Sequence, residues 1–560
     1  MTRGSRLLCA PWLRPVWCAL AGVIALGCAP AGASHGAPGG GASGRGSYAD
    51  LVALFRDWRA FEQPPMADGA PDYTAATFAR RREELAKLQA RLVAIDARAW
   101  PIAQQVDHEI VGAEMNGFDF NARVLRPWAR DPAFYTTVWT EQSDTPAHEG
   151  PTHHGLVELW TYSFPLSAAE EGRLARELAV IPPLLRQARG NLTGDARDLW
   201  VAGITTIKQQ AAALVELDGK TAASGPALRS AIRAASAATG AFVGWLEAQA
   251  PSKTGSSGVG KDAYTWSLQK VHLAPLTWDD EVAILQRELA RAHTELRLEE
   301  QRNRNLPALA ASANPAEFEQ RGNAAVTKLI AFLASNDLMP MRDYMDAALR
   351  PHIGRFVPEA TRNFFSIAAH LEPMTLYTHF YHWWDLAHMR ETPHPSAIRR
   401  GPLLYNIWDS RAEGMATAME EMMLHAGLYD DNPRAREIVW IMLAQRAARG
   451  LGSLYAHANQ FTMKQAAEFQ ARWTPRGWMR EDLDLLGFEQ QLYLRQPGYG
   501  ASYLTGKFLL ERLLASRSRA LGKDFTIKRF FAELDDAGMI PVSLIAWQLT
   551  GERSAVGPPR

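Results

Sequence analysis

Residues 279–304, DDEVAILQRELARAHTELRLEEQRNR, place apolar side chains three and four positions apart and fill the intervals with charge. That period belongs to an α-helix. With Glu281, Arg287, Glu288, Arg291, Glu295 and Arg297 between the apolar positions, the stretch reads as one long, half-exposed helix. The same spacing recurs over 73–96, 166–191 and 430–456. Alternating strand patterns are scarce, and 157–162 is the best of them. No repeat of fixed period stands out. The fold class that follows is all-α, a large multi-helix fold with at most a few short strands.

Sixty basic residues balance 60 acidic ones among 560, so no charge excess points to a nucleic-acid surface. The three cysteines, Cys9, Cys18 and Cys28, all lie in the first 28 residues. Arg3, Arg6 and Arg14 flank an uncharged stretch, 15–27, that is too short to span a bilayer. It ends in Ala25-Leu26-Gly27-Cys28, which resembles a bacterial lipobox. Residues 1–27 are thus expected to be a signal peptide, with Cys28 as the lipid-bearing first residue and 28–47 as a Gly/Ala/Pro-rich flexible tether. Processing would remove three arginines and no acid, leaving a net charge of −3. It would also leave no cysteine but Cys28, which excludes disulfides, thiolate metal sites and a cysteine nucleophile. The Ser/Gly-rich loop 251–260 separates an N-terminal helical half, 48–250, from a C-terminal half, 251–560, and both could share one core. The prolines within 392–402 rule out continuous helix there.

Two motifs fail on their chemistry. Gly255 to Asp262 has the spacing of a phosphate-binding loop, but Asp262 stands where a hydroxyl must bind magnesium, and no buried strand precedes it. Nucleotide binding is therefore not expected. His148-Glu149-Gly150-Pro151-Thr152-His153-His154 looks like a zinc-peptidase HExxH, yet Thr152 occupies the second ligand position and Pro151 breaks the helix. A third region carries more. Residues 378–421 read THFYHWWDLAHMRETPHPSAIRRGPLLYNIWDSRAEGMATAMEE, with His379, His382, Asp385, His388, Glu391 and His394 inside 16 residues. On a helix, His379 and His382 would be neighbours, as would His382 and Asp385. A histidine pair with a carboxylate from another helix can hold a catalytic zinc with one position open, and Glu413 is the obvious carboxylate. A buried polar cluster in an aromatic core is the other reading of the same residues.

The chain also resembles the bacterial family called domain of unknown function 885, from about residue 48 to residue 551. The landmarks run in order. Arg126-Pro127-Trp128-Ala129-Arg130-Asp131-Pro132 resembles its N-terminal element, and Gly260-Lys261-Asp262-Ala263-Tyr264 its GKEAY turn. Glu413-Gly414-Met415-Ala416 stands for EGWA, and Gly427-Leu428-Tyr429 follows it. Tyr455-Ala456-His457 stands for GxH, and Pro497–Tyr503 with Gly506-Lys507 for PGQALSYxxGK. The resemblance implies an all-helical, zinc-peptidase-like fold and a secreted or lipid-anchored protein. Active members carry HExxPGHH some thirty residues before EGWA. The first His and the EGWA glutamate there look like ligands, and the Glu after that His looks like the general base. Here His379 is followed by Phe380 and His388 by Met389, so neither register supplies that glutamate.

The implied function is a divergent metal-dependent hydrolase of peptides or small amides. Zinc would sit on His379, His382 or His388 with Glu413, His457 and Tyr503 would polarise or hold the substrate, and Asp385 or Glu391 would replace the missing base. Arg411 and Arg495 could clamp a substrate carboxylate. The alternative is a metal-free binding lipoprotein on the same fold. Either would be expected at the cell envelope, on the periplasmic face of the outer membrane and held only through the lipid.

Overall fold

The structure, a computed structural model, describes residues 46–142, 155–405 and 409–553. The leader, Cys28, nearly all of the tether and the 148–154 motif lie outside these. Helices dominate. The strands are two-residue pieces: Met66–Ala67 pairs antiparallel with Ala70–Pro71, and Val138–Trp139 parallel with Val157–Glu158. The 157–162 strand expectation therefore holds for two residues, after which Leu159–Thr161 turns into a 3₁₀ helix.

Local sequence explains the helix boundaries. The Trp278–Arg302 helix starts at a capping box in which Thr277 and Asp280 satisfy each other's backbone N–H groups. Thr462 and Gln465 do the same for Met463–Trp473. The 166–191 stretch is two helices, Ala168–Leu178 and Ile181–Asn191, because Pro182 and Pro183 lack the N–H that would continue the first and fit the first turn of the second. Among the described residues no helix is long and apolar enough to cross a membrane.

The hydrophobic core does not divide at residue 250. Leu51, Trp58, Val106 and Ile110 belong to the same cluster as Leu285, Ile441, Leu510 and Trp547. A smaller core holds Tyr135, Trp200, Ile207, Leu214 and Phe242. The 251–260 loop is a join rather than a linker. The Ser257 hydroxyl accepts the Asp198 N–H, Gly258 N–H donates to the Asn459 side chain, and Gly260 N–H donates to the His457 carbonyl.

At the centre, the helix Arg434–His457 is buried on every face. It packs against Trp278–Arg302, Met463–Trp473 and Tyr499–Leu521. The last of these crosses the start of Gly414–His425 with backbones nearly touching. A Cβ built on Gly506 would lie 2.6 Å from Gly414 Cα and would also meet the Ser410 backbone. Glycine at both positions brings Glu413 within reach of Tyr499. Gly506→Ala should accordingly destabilise the protein by about 1–3 kcal/mol, the usual range for overpacking. Urea melts that match wild type would contradict this close packing.

Candidate functional site

His382 lies in the first turn of the helix Tyr381–Glu391. His379 does not share that helix; it sits in the turn between Met374–Tyr377 and Tyr381–Glu391. Glu413 ends a π-helical turn, Asp409–Glu413, that runs directly into Gly414–His425. His382 Nε2 is 3.1 Å and His379 Nε2 3.7 Å from Glu413 Oε2, and the three ligand atoms lie within 4.8 Å of one another. His382 and Glu413 are buried, while the His379 side chain is 14% exposed and forms the solvent-facing edge.

The surroundings orient these atoms. The Tyr499 hydroxyl donates to Glu413 Oε1 at 2.8 Å. Glu420, two turns after Glu413 on the same face, places Oε1 3.0 Å from His379 Nδ1. Arg446 binds Glu420 with both Nη groups, at 2.6 and 3.0 Å, and its Nη2 lies 3.2 Å from the same imidazole nitrogen. His379 Nδ1 thus lies between the Glu420 carboxyl and the Nη2 of Arg446, a guanidinium nitrogen with a hydrogen for each of them, while Nε2 faces Glu413. Tyr503 stacks parallel to His379, with ring centres 6.1 Å apart.

Burial shapes the proton affinities. It pushes the His379 pKa well below 6.5, and Arg446 reinforces the shift. It pushes the Glu420 carboxyl up to about 8 against the pull of Arg446 and Arg449. Burial also opposes the Glu413 charge, but His382 and Tyr499 outweigh it and hold that carboxyl below its ordinary range.

Two imidazoles and one carboxylate make the donor set of a catalytic zinc, whose tetrahedral ligand atoms stand about 3.3 Å apart. The separations to Glu413, 3.1 Å from His382 and 3.7 Å from His379, are compatible with it, and the first is also a His382–Glu413 hydrogen bond. Glu420, 3.0 Å from the second nitrogen of His379, stands where metal-binding histidines usually have an outer-shell partner.

The other residues singled out by sequence lie elsewhere or are engaged. His388 stands two turns beyond His382, and its Nδ1 pairs with the Tyr344 hydroxyl at 3.0 Å. Glu391 is exposed, pairs with its neighbour Arg390, and lies about 13 Å along the helix axis from His382. Asp385 binds both Nη groups of Arg411 at 3.0 Å, so that arginine is a buried ion-pair partner. Arg495 is paired with Asp131 at 2.7 Å. His457 is buried at the far end of its helix, against the Tyr493 carbonyl. Sequence reasoning missed Glu420, Arg446 and Arg449. The available signal was a carboxylate seven residues after Glu413 and two arginines inside an otherwise apolar run.

Residues 60–369 and 382–549 match a family described as bacterial proteins of unknown function, DUF885. The chain belongs to that family. The match breaks over 370–381, which contains His379, and resumes at His382. No curated protein matches the chain. Among solved structures, it is similar to a candidate lipoprotein of unknown function from Shewanella oneidensis, at 16% identity and a TM-score of 0.68, covering 90% of this chain and all of that one. A second, from Colwellia psychrerythraea, has 14% identity and a TM-score of 0.63 over 90% and 98% of the two chains. At such identities the likeness is one of fold.

His457 gives this region a pH signature. Its Nε2–H donates to the Tyr493 carbonyl at 2.9 Å, and burial pulls its pKa from 6.5 to about 4. The unfolded chain takes up a proton at this ring near 6.5, the folded chain only near 4. The stability this adds is full above pH 6.5 and is lost as the pH falls toward 4. Between pH 7.5 and pH 5, wild type should lose about 2 kcal/mol more than His457→Asn, measured by urea melts. Equal losses would contradict the buried neutral imidazole.

Proposed function

We propose that this DUF885 member is a metal-dependent hydrolase of peptides or small amides, held at the bacterial envelope by a lipid on Cys28. One observation carries the reading: the ligand atoms of His379, His382 and Glu413 converge within 4.8 Å, with Glu420 bracing the outer nitrogen of His379. The lipobox-like Ala25–Cys28 sequence and the lipoprotein descriptions of both structural neighbours support the anchor.

Bound zinc supplies Lewis acidity, polarising a carbonyl and acidifying the attacking water. The chain's own residues do the rest. Glu420 and Tyr499 fix the orientations of His379 and Glu413. Tyr503, whose hydroxyl burial keeps protonated far above neutral pH, offers a donor beside His379 for the negative charge that develops on a carbonyl oxygen.

A second reading, a binding lipoprotein without turnover, is favoured by the fate of the replacement bases. Asp385 is held by Arg411, and Glu391 points to solvent. Elemental analysis of the purified full chain separates these readings from a metal-free cluster. The expected result is about one zinc per chain, lost in Glu413→Ala. Affinity should fall about 10–100-fold in Glu420→Gln, the usual effect of removing an outer-shell partner. A chain that is metal-free and takes up no added zinc would overturn the metal centre. Stoichiometric zinc without chelator-sensitive cleavage of a peptide library would select the second reading.

A further inference from the structure

We propose that Arg449 recognises a free carboxylate on the substrate, so that the preferred substrates are short peptides or amides bearing a negative charge within a few residues of the bond presented to His379. This rests on the metal-centre reading above.

The observation is a difference among four buried arginines. Arg446 spends both Nη groups on Glu420, Arg411 spends both on Asp385, and Arg495 is paired through Nε with Asp131. Arg449 donates a single hydrogen bond among the described residues, from Nη1 to Glu489 Oε1 at 2.9 Å; its buried Nε has no partner, as in Arg411 and Arg446, so what sets it apart is an Nη2 without a hydrogen bond to a described residue. A buried guanidinium with spare donors is a costly arrangement that an anion relieves, and its planar fork suits a carboxylate. Glu489 does not depend on Arg449 alone. Gln445 and Gln470 also donate to it, so it stays bonded if Arg449 turns some donors to a ligand.

The position suits the role. The Arg449 guanidinium lies 3.9 Å over the Tyr503 ring, which is stacked 6.1 Å from His379 and 5.9 Å from Tyr499. Arg449 is thus within about 10 Å of the solvent-facing ligand, the reach of one to three residues of extended chain.

Charge balance points the same way. Glu413, Glu420 and Glu489 bring three negative charges and Arg446 and Arg449 two positive ones. A divalent cation would leave the buried cluster with an excess of at least one positive charge, more if Glu420 is protonated. One monoanionic group compensates it.

Calorimetry on the zinc-loaded full chain tests this with N-acetyl-alanyl-alanine and its C-terminal amide, two probes differing only in the charged group. The acid should bind at least tenfold more tightly, and Arg449→Lys, which keeps the charge beside Glu489 but loses the fork, should reduce that ratio while retaining zinc. Equal affinities of acid and amide for zinc-loaded wild type would overturn the inference, as would an unchanged ratio in a folded Arg449→Lys. Absence of zinc is read separately by elemental analysis and bears on the metal centre.

Discussion

Two arginines inside a helix that is buried on every side constrain the whole centre of this protein. Arg446 and Arg449 project from Arg434–His457 into a core where an unpaired charge costs about 3–5 kcal/mol. Their carboxylates must come from other helices. Glu420 comes from Gly414–His425 and Glu489 from Asp484–Arg495, so these helices are held to the central one by charge as well as by apolar contact. Once Glu420 is fixed by Arg446, Glu413 is fixed two turns upstream, and the glycine contact at Gly414 and Gly506 brings Tyr499 against it. The His379–His382–Glu413 triangle follows from that frame.

The fold class was legible because helical periodicity survives in long amphipathic segments. The 279–304 pattern corresponds to Trp278–Arg302 within two residues at either end. The central helix was legible as a helix but not as the hub, since an all-round buried helix has no polar face to orient it. The 251–260 loop was legible as a boundary but not as a pinned one, because its glycines and serines read the same whether solvated or held; long-range contacts to Asn459, His457 and Asp198 decide which, and periodicity carries no trace of them. At the site, helical spacing grouped His379 and His382 and offered Glu413 as their carboxylate, while the family landmarks left the first ligand at His379 or His388. The position of His379 in a turn, and the use of Asp385 and Arg411 on each other, depend on how helices meet in space. Glu391 failed as a base because it falls at the exposed end of its helix.

Membership of DUF885 and the two structural neighbours establish the architecture at identities where side-chain chemistry can drift. The family match breaks over 370–381, the stretch that contains His379 and Phe380. Yet His379 still turns one nitrogen to Glu413 and the other to Glu420. The three candidate ligand atoms thus converge although one of them lies where the family match breaks, which makes metal binding and turnover separate questions.

The most direct test of the metal centre is X-ray absorption at the zinc edge of the stoichiometrically loaded chain. The account predicts a first shell containing two imidazole nitrogens and a carboxylate oxygen at about 2.0–2.2 Å, with the outer-shell scattering of two histidine rings. A shell of oxygen atoms alone, or one that is unchanged in His379→Ala, would contradict it.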